Sequence, residues 1–316
     1  MIAPREPMST ASTQAPSERQ QQLARRRARG QLMIGLTWIA GAVAIVPLLA
    51  IVGYLIVGGA SAFSPTFFTS VPAPAGARGG GMANAIVGTV LLVGIGALIG
   101  VPIGLGAGLF AAERRGTRLA TTVGFIADVL SGLPSVVLGV FVWELVVRPS
   151  GRFSALAGGI ALGLLIIPLV TRATEEMVKL VPSALNEAAV ALGFSKWRSA
   201  STVVLRTAMP GIVTASLVAI SRAAGETAPL LFTAFGNAYW SVSLFRPIAA
   251  LPLQIFAYAQ SPYDDWRAQA WAGALVLLVI IAAMSLIARA VLRARLALVR
   301  GSRIERPSTI DAERGT

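Results

Sequence analysis

The sequence predicts an all-α polytopic membrane protein with six transmembrane helices. Three observations lead there. Of 316 residues, 55% are apolar (AVILMFWYC) and only 13% are charged, about half the charged share of an ordinary soluble domain. The apolar residues gather into six runs of the length that ~30 Å of hydrocarbon demands, about 20 residues each. The 27 Lys and Arg against 14 Asp and Glu fall on alternate connections, as they do in inserted helices.

Taken in order, residues 1–31 form a basic cytoplasmic tail, rich in Ser, Thr, Gln and Pro at its start and expected to be disordered. Arg25-Arg26-Arg27-Ala28-Arg29 followed by an apolar run imitates a signal peptide, and Ala60-Ser61-Ala62 imitates its cleavage site. The run at 32–59 is nearly twice the ~7–15 residues of a signal core, so it is read as an uncleaved first span. The next spans are placed at about 85–111, 119–147, 153–172, 205–232 and 268–289. Between Arg152 and Arg172 lie 19 uncharged residues, and between Arg267 and Arg289 lie 21. The transmembrane domain is 32–299, and 300–316 is a second cytoplasmic tail, most of it expected to be disordered.

Orientation follows from counting. With the N-terminus inside, 21 Lys and Arg fall on the cytoplasmic pieces, 5 on the opposite side, and Arg222 within a span. Both termini are therefore expected in the cytoplasm. This asymmetry accounts for the basic charge without nucleic acid. The outside connection 60–82 is rich in Pro and Gly and reads as irregular. The outside stretch 233–267 carries Tyr239, Trp240, Phe245, Tyr258, Tyr263 and Trp266, suited to a membrane interface or an external partner.

Composition also excludes chemistry. The chain has no Cys and no His, which removes disulfides, thiolate or imidazole metal sites and His-dependent hydrolysis. Histidine-dependent intramembrane proteolysis is excluded, and a paired-aspartate protease would need a second membrane aspartate beside Asp128. No G-x-x-x-x-G-K-[ST] loop occurs, and neither lysine (Lys179, Lys196) follows a glycine, so this chain is not itself a phosphate-loop ATPase. No catalytic residue, metal or cofactor is expected.

The cytoplasmic segment at about 182–206 is longer than a connector. Ser183 is a suitable N-cap. Leu185, Ala188, Ala189 and Leu192 then recur at i, i+3, i+4 and i+7, one face of a short helix. Gly193 ends it, and Ser195 is placed to cap a second helix starting at Lys196. Such a helix either rests in lipid headgroups or docks on a partner, and periodicity leaves both open.

Glu187-Ala188-Ala189, three residues, then Gly193 resembles the EAA loop of prokaryotic ABC importer permeases. That motif continues with Ile-x-Leu-Pro, whereas this chain has Val203-Val204-Leu205 and then Arg206. The run Ser221-Arg222-Ala223-Ala224-Gly225-Glu226-Thr227-Ala228-Pro229-Leu230-Leu231-Phe232-Thr233-Ala234 resembles the signature of the phosphate ABC transporter permeases of the PstA family. Leu133-Pro134-Ser135-Val136-Val137-Leu138-Gly139-Val140-Phe141, Pro247 to Pro252 and Trp271-Ala272-Gly273 are similar to that family as well. The resemblance covers residues from about 30 to about 300. It implies the ABC type I importer permease arrangement with a cytoplasmic coupling helix, in the bacterial inner membrane. It further implies a complex with a homologous permease PstC, two copies of the PstB ATPase and an external phosphate-binding protein PstS. Glu187, Ala188, Ala189 and Gly193 would then couple to the ATPase.

Four ionisable residues interrupt the spans: Asp128, Glu144, Arg222 and Glu226. At mid-bilayer each costs about 2.5–3.5 kcal/mol on insertion scales, which calls for a reason. Arg222 and Glu226 are four apart and are expected on one helical face. Either they form a neutralising pair, or Arg222 handles an oxyanion with bidentate hydrogen bonds while Glu226 holds it in place. Ser221 and Thr227 are the neutral donors beside them, and Gly225 and Pro229 permit a bend or close packing. Asp128 and Glu144 are expected near span ends, reaching the interface. The competing functions are a permease for sulfate or molybdate, or an ATPase-independent carrier.

Overall fold

The computed structural model describes residues 18–77 and 79–304. All regular structure there is helical, apart from two isolated bridges, Pro72 with Gly80 and Phe235 with Ile248. The first helix, α1 (Glu18–Gly59), ends in a 3-10 turn at Ala60–Ala62. Residues 18–31 are its opening turns and not the disordered stretch expected for 1–31; residues 1–17 and 305–316, where the remaining tail was placed, lie outside the described residues. The chain to Tyr54 is a separate unit from Leu55 onward. In that unit the apolar side chains Leu32, Trp38, Val43 and Leu49 are exposed.

The second unit is built around α3 (Ala83–Glu113) and α7 (Ala155–Lys179). Glycines 96, 100, 104 and 108 repeat every four residues, so they line one face of α3. A Cβ added at Gly100 would lie 2.7 Å from Ile166 Cβ, at Gly104 2.7 Å from Val170 Cβ, and at Gly108 2.6 Å from Thr174 Cβ. α7 replies with Gly159, whose Cβ would lie 2.6 Å from Ile95 Cβ. Small residues at this spacing let two backbones meet closely, and dispersion contacts replace the hydrophobic drive that lipid removes. Leu92, Leu162, Ile166 and Val170 are fully buried beside this seam. Ser154 starts α7 by accepting the Ala157 N–H at 3.1 Å.

Where one span was expected over 119–147, the structure has two helices. α4 (Arg118–Gly132) and α5 (Ser135–Val142) are bent by 103° at Leu133-Pro134. Pro134 gives no N–H and pushes Leu133 into extended geometry, φ −72° and ψ 138°. α5 passes through a π-helical turn, Trp143–Val147, into α6 (Arg148–Ser150), numbered after the short α2 (Pro65–Thr69) of the outer connection. Counting the bent pair as one span, the described residues hold six candidate membrane spans. The chain is a multi-pass membrane protein.

After α7 come α8 (Ser183–Ala191) and α9 (Lys196–Ser199), then a π-helical turn, Ala200–Val204, leading into α10 (Leu205–Ala224). α10 stops where the sequence reading continued it to 232. Gly225 caps it, and a separate helix α11 (Ala228–Thr233) follows, with Pro229 in its first turn. The last elements are α12 (Leu251–Ala259) and α13 (Asp264–Ile304). These elements are tied to the rest by polar contacts: Leu251 N–H donates to Thr89 Oγ1 at 2.8 Å, and Gln269 Nε2 donates to the Gly79 carbonyl at 2.8 Å.

Candidate functional site

Two helix breaks meet at one place. A cavity of about 310 Å³ is walled by Leu130–Ser135 at the α4–α5 bend, by Leu165, Pro168 and Leu169 of α7, and by Ala219, Arg222, Ala223 and Glu226 at the end of α10. The breaks are pinned together. Pro229 of α11 packs so closely on Gly139 of α5 that a Cβ there would lie 2.6 Å from Pro229 Cα.

Of the four sequence-predicted pathway residues, the structure brings Arg222 and Glu226 to this cavity. It does so in a way the helical spacing did not foresee. α10 ends at Ala224, so Glu226 stands in non-helical backbone with its N–H on the Ala223 carbonyl at 3.2 Å. The i,i+4 ion pair is not formed: the six ion pairs among the described residues do not include Arg222 with Glu226. Loss of the helical turn removes the register such a pair requires. Among the described residues the guanidinium therefore has no carboxylate tether within 4 Å, and its donors are left for another acceptor.

Ser221 and Thr227 do not line the cavity. Ser221 is buried against α13, its Oγ 3.4 Å from Ser285 Oγ. Thr227 is half-buried at the head of α11. Ser131 and Ser135, which sequence reasoning passed over, do line it. Gly132-Leu133-Pro134 carried the signal: Gly then Pro inside an apolar run is a helix break. Ser135 begins α5, so the N-terminal end of that helix, with its partial positive charge, borders the cavity.

Asp128 and Glu144 are not isolated interfacial carboxylates. Glu144 pairs with Arg148 on the exposed side of the π turn. Asp128 receives two hydrogen bonds from Arg172 of α7, Nε to Oδ1 at 2.7 Å and Nη2 to Oδ2.

Helices α8 and α9 form a compact helical hairpin. Gly193 takes φ +87°, a conformation in which glycine alone escapes a Cβ penalty. The Gly193 N–H meets the Val190 carbonyl at 2.9 Å, and the Phe194 N–H meets the Ala189 carbonyl at 3.1 Å, a Schellman closure. Ser195 Oγ accepts from Arg198 N–H at 3.3 Å. Ser183 does not cap α8; that position falls to Pro182, which supplies no side-chain bond. Ala189 is the one residue of α8 that is buried, and Ser199 Oγ donates to Asn186 Oδ1 at 2.6 Å across the hairpin. Glu187, Ala188, Leu185 and Leu192 are exposed. The apolar face read from the sequence is thus largely unburied by this chain.

A larger cavity, about 630 Å³, lies between Val71–Ala75, Phe235–Tyr239 and α12. Among the described residues its lining carries no charge and none of the predicted site residues.

Residues 104–296 match the family described as "Binding-protein-dependent transport system inner membrane component". The phosphate transport system permease protein PstA of Yersinia pestis is 42% identical over 285 residues, covering 90% of this chain and 96% of that protein. The chain belongs to the PstA permease family. The protein of the same name from Xylella fastidiosa (strain Temecula1) is 46% identical over 71% of this chain and 79% of its own. The fold matches a bacterial ABC transporter involved in the import of the acidic polysaccharide alginate, with TM-score 0.58, 12% identity, 86% of this chain and 99% of that chain covered. Permeases of this family work as parts of ABC transporter assemblies.

Proposed function

We propose that this chain is the membrane-spanning subunit of an ATP-driven importer that carries inorganic phosphate across the bacterial inner membrane, with both termini in the cytoplasm. The names of its relatives support phosphate, and the placement of 21 of 27 basic residues supports the orientation. The partners of this reading are PstC beside it in the membrane, two PstB ATPases on the cytoplasmic face and PstS outside. The chain itself makes and breaks no covalent bond.

The observation that carries the reading is Arg222, free of a carboxylate, in a cavity where two helices are interrupted. Non-helical backbone at membrane depth is tolerated only where protein or a water-filled path surrounds it. Arg222 offers paired N–H donors to phosphate oxygens, and the first N–H groups of α5 add partial positive charge. Glu226 opposes them. Its charge weakens retention, so an ion delivered by an external binding protein can leave again. Ser131 and Ser135 supply neutral hydroxyls, taking the part first given to Ser221 and Thr227. On the cytoplasmic face, Glu187, Ala188, Ala189 and Gly193 shape the hairpin that seats on the ATPase.

Phosphate uptake by cells making the Arg222→Ala variant tests this. Losing a charged hydrogen-bond pair removes about 2 kcal/mol, or about thirtyfold in transport at limiting phosphate. Arg222→Lys keeps the charge without the fork and falls between the two. Full uptake by Arg222→Ala, at unchanged amounts of assembled complex, would take Arg222 out of the pathway.

A further inference from the structure

α4 is tied to the rest of the bundle unlike any other long helix here. It buries only Ala120, Gly124 and Ala127, whereas α7 buries fourteen of its residues. Every side-chain hydrogen bond between α4 and α7 among the described residues is made by one group, the Arg172 guanidinium. It bonds both oxygens of Asp128, donates from Nη2 to the Gly124 carbonyl at 2.9 Å, and donates from Nη1 to Glu175 Oε2 at 2.7 Å. Lys179 holds Glu175 from the other side at 2.8 Å and Glu176 at 2.9 Å. Gly124 makes room for the guanidinium, since a Cβ there would lie 3.0 Å from Arg172 Nη1.

This clamp adjoins the cavity. On α4 the cavity wall begins at Leu130, two residues beyond Asp128; on α7 it ends at Leu169, three residues before Arg172. Following the orientation above, α4 runs inward from the cytoplasmic side and α7 runs toward it. Asp128 and Arg172 therefore lie just beyond the cytoplasmic side of the Arg222 cavity, next to the residues that wall it. α7 cannot yield there, because Gly108 of α3 presses against Thr174. α4 can. Its apolar anchorage is slight, and its polar anchorage is a partly exposed ion pair, with Asp128 62% and Arg172 33% exposed. A pair this open contributes less than a tightly packed one, so it can break and re-form in each cycle.

We propose that Asp128 and Arg172 are positioning residues of transport: a latch that holds α4 against α7 while the ion sits by Arg222 and parts when the cavity empties to the cytoplasm. The cavity's role as the phosphate path comes from the reading above. The latch itself is a statement about two helices. Elements drawn into such motions come from the weakly buried end of a structure, and α4 fits that description.

The cysteine-free chain makes the test direct. In the complete transporter, cysteines at Asp128 and Arg172 are bridged by a reversible bis-methanethiosulfonate linker. Uptake relative to the unbridged double variant falls by about tenfold or more and returns on reduction, as expected when a gating step is blocked. Uptake that continues unchanged with the bridge in place overturns the latch. A second measurement keeps Asp128 and Arg172 intact. Spin labels on Thr121→Cys and Glu176→Cys, both exposed, report the α4–α7 separation by electron paramagnetic resonance. The separation is wider in the nucleotide-free transporter, where the cavity opens to the cytoplasm, than in the ATP-bound one. An unchanged separation overturns the latch whatever the ion, whereas failure of the unmodified transporter to take up phosphate would break only the phosphate reading.

Discussion

The α3–α7 seam and the α4–α5 bend use the same residue types for opposite ends. Along the seam, glycines are spaced every four residues and every one faces a partner backbone or branched side chain. At the bend, Gly132 meets nothing within 4 Å and Pro134 interrupts the chain. The first arrangement gives up side-chain volume to gain close, rigid contact. The second gives up helical continuity to open a space. Glycine in a membrane helix is thus rigid or permissive according to what stands opposite it, and a transporter needs both: a fixed rail, and a wall that can be lined with polar groups.

The largest effect should come from spoiling the rail. Gly100→Leu would drive a side chain into Ile166, which a Cβ alone would already approach to 2.7 Å. Overpacking costs about 1–3 kcal/mol for added methylenes that the core can partly absorb, and a backbone-contact seam absorbs less. Membranes should contain little folded permease, measured by detergent-resistant assembly. Gly106→Leu, on the same helix with nothing within 4 Å, should assemble normally. Equal loss for both would mean that helix propensity, not the seam, sets stability.

The bend should respond in transport and not in assembly. Pro134→Ala restores an N–H and releases Leu133 to adopt helical geometry, so α4 and α5 can straighten from their 103° bend. Phosphate uptake per assembled complex should drop several-fold while the amount of complex stays near normal. A variant that transports normally would show that the cavity does not depend on the break.

Much of this was legible beforehand, and the exceptions share a cause. Run length and charge placement predicted the helical class because hydrocarbon thickness and insertion energetics act on composition alone. The α8 hairpin was legible through Gly193 and Ser195, whose roles are local. What escaped were relations between segments distant in sequence. Arg172 read as a cytoplasmic basic residue because its partner Asp128 is 44 positions away. Arg222 and Glu226 read as a helical pair because Gly225 and Pro229 permit a bend without requiring that α10 end at Ala224; the Pro229 contact with Gly139 lies ninety residues back. The glycine series on α3 was visible as letters, while its meaning lay in Ile166 and Val170.

The smallest expected effect lies in the α8–α9 hairpin and sharpens the contrast between rigid and yielding parts. If α8 transmits motion, it must be stiff within itself while its outer face is free to seat on the ATPase. Asn186→Ala removes the 2.6 Å bond to Ser199, worth about 1 kcal/mol, and leaves Ser199, a buried group, without that partner. Gly193→Ala keeps the bond but forces a Cβ into φ +87°, a cost of about 1–2 kcal/mol. Neither change touches the exposed surface of Glu187, Leu185 or Leu192. Both should leave the ATPase bound to membranes, yet lower phosphate carried per ATP hydrolysed by about twofold to fivefold, because a loosened lever absorbs part of its own displacement. Glu187→Ala should do the reverse, weakening ATPase retention while the hairpin keeps its shape. If all three variants lowered retention alike, the hairpin would be a docking patch only, and coupling would have to run through another cytoplasmic surface of the complex.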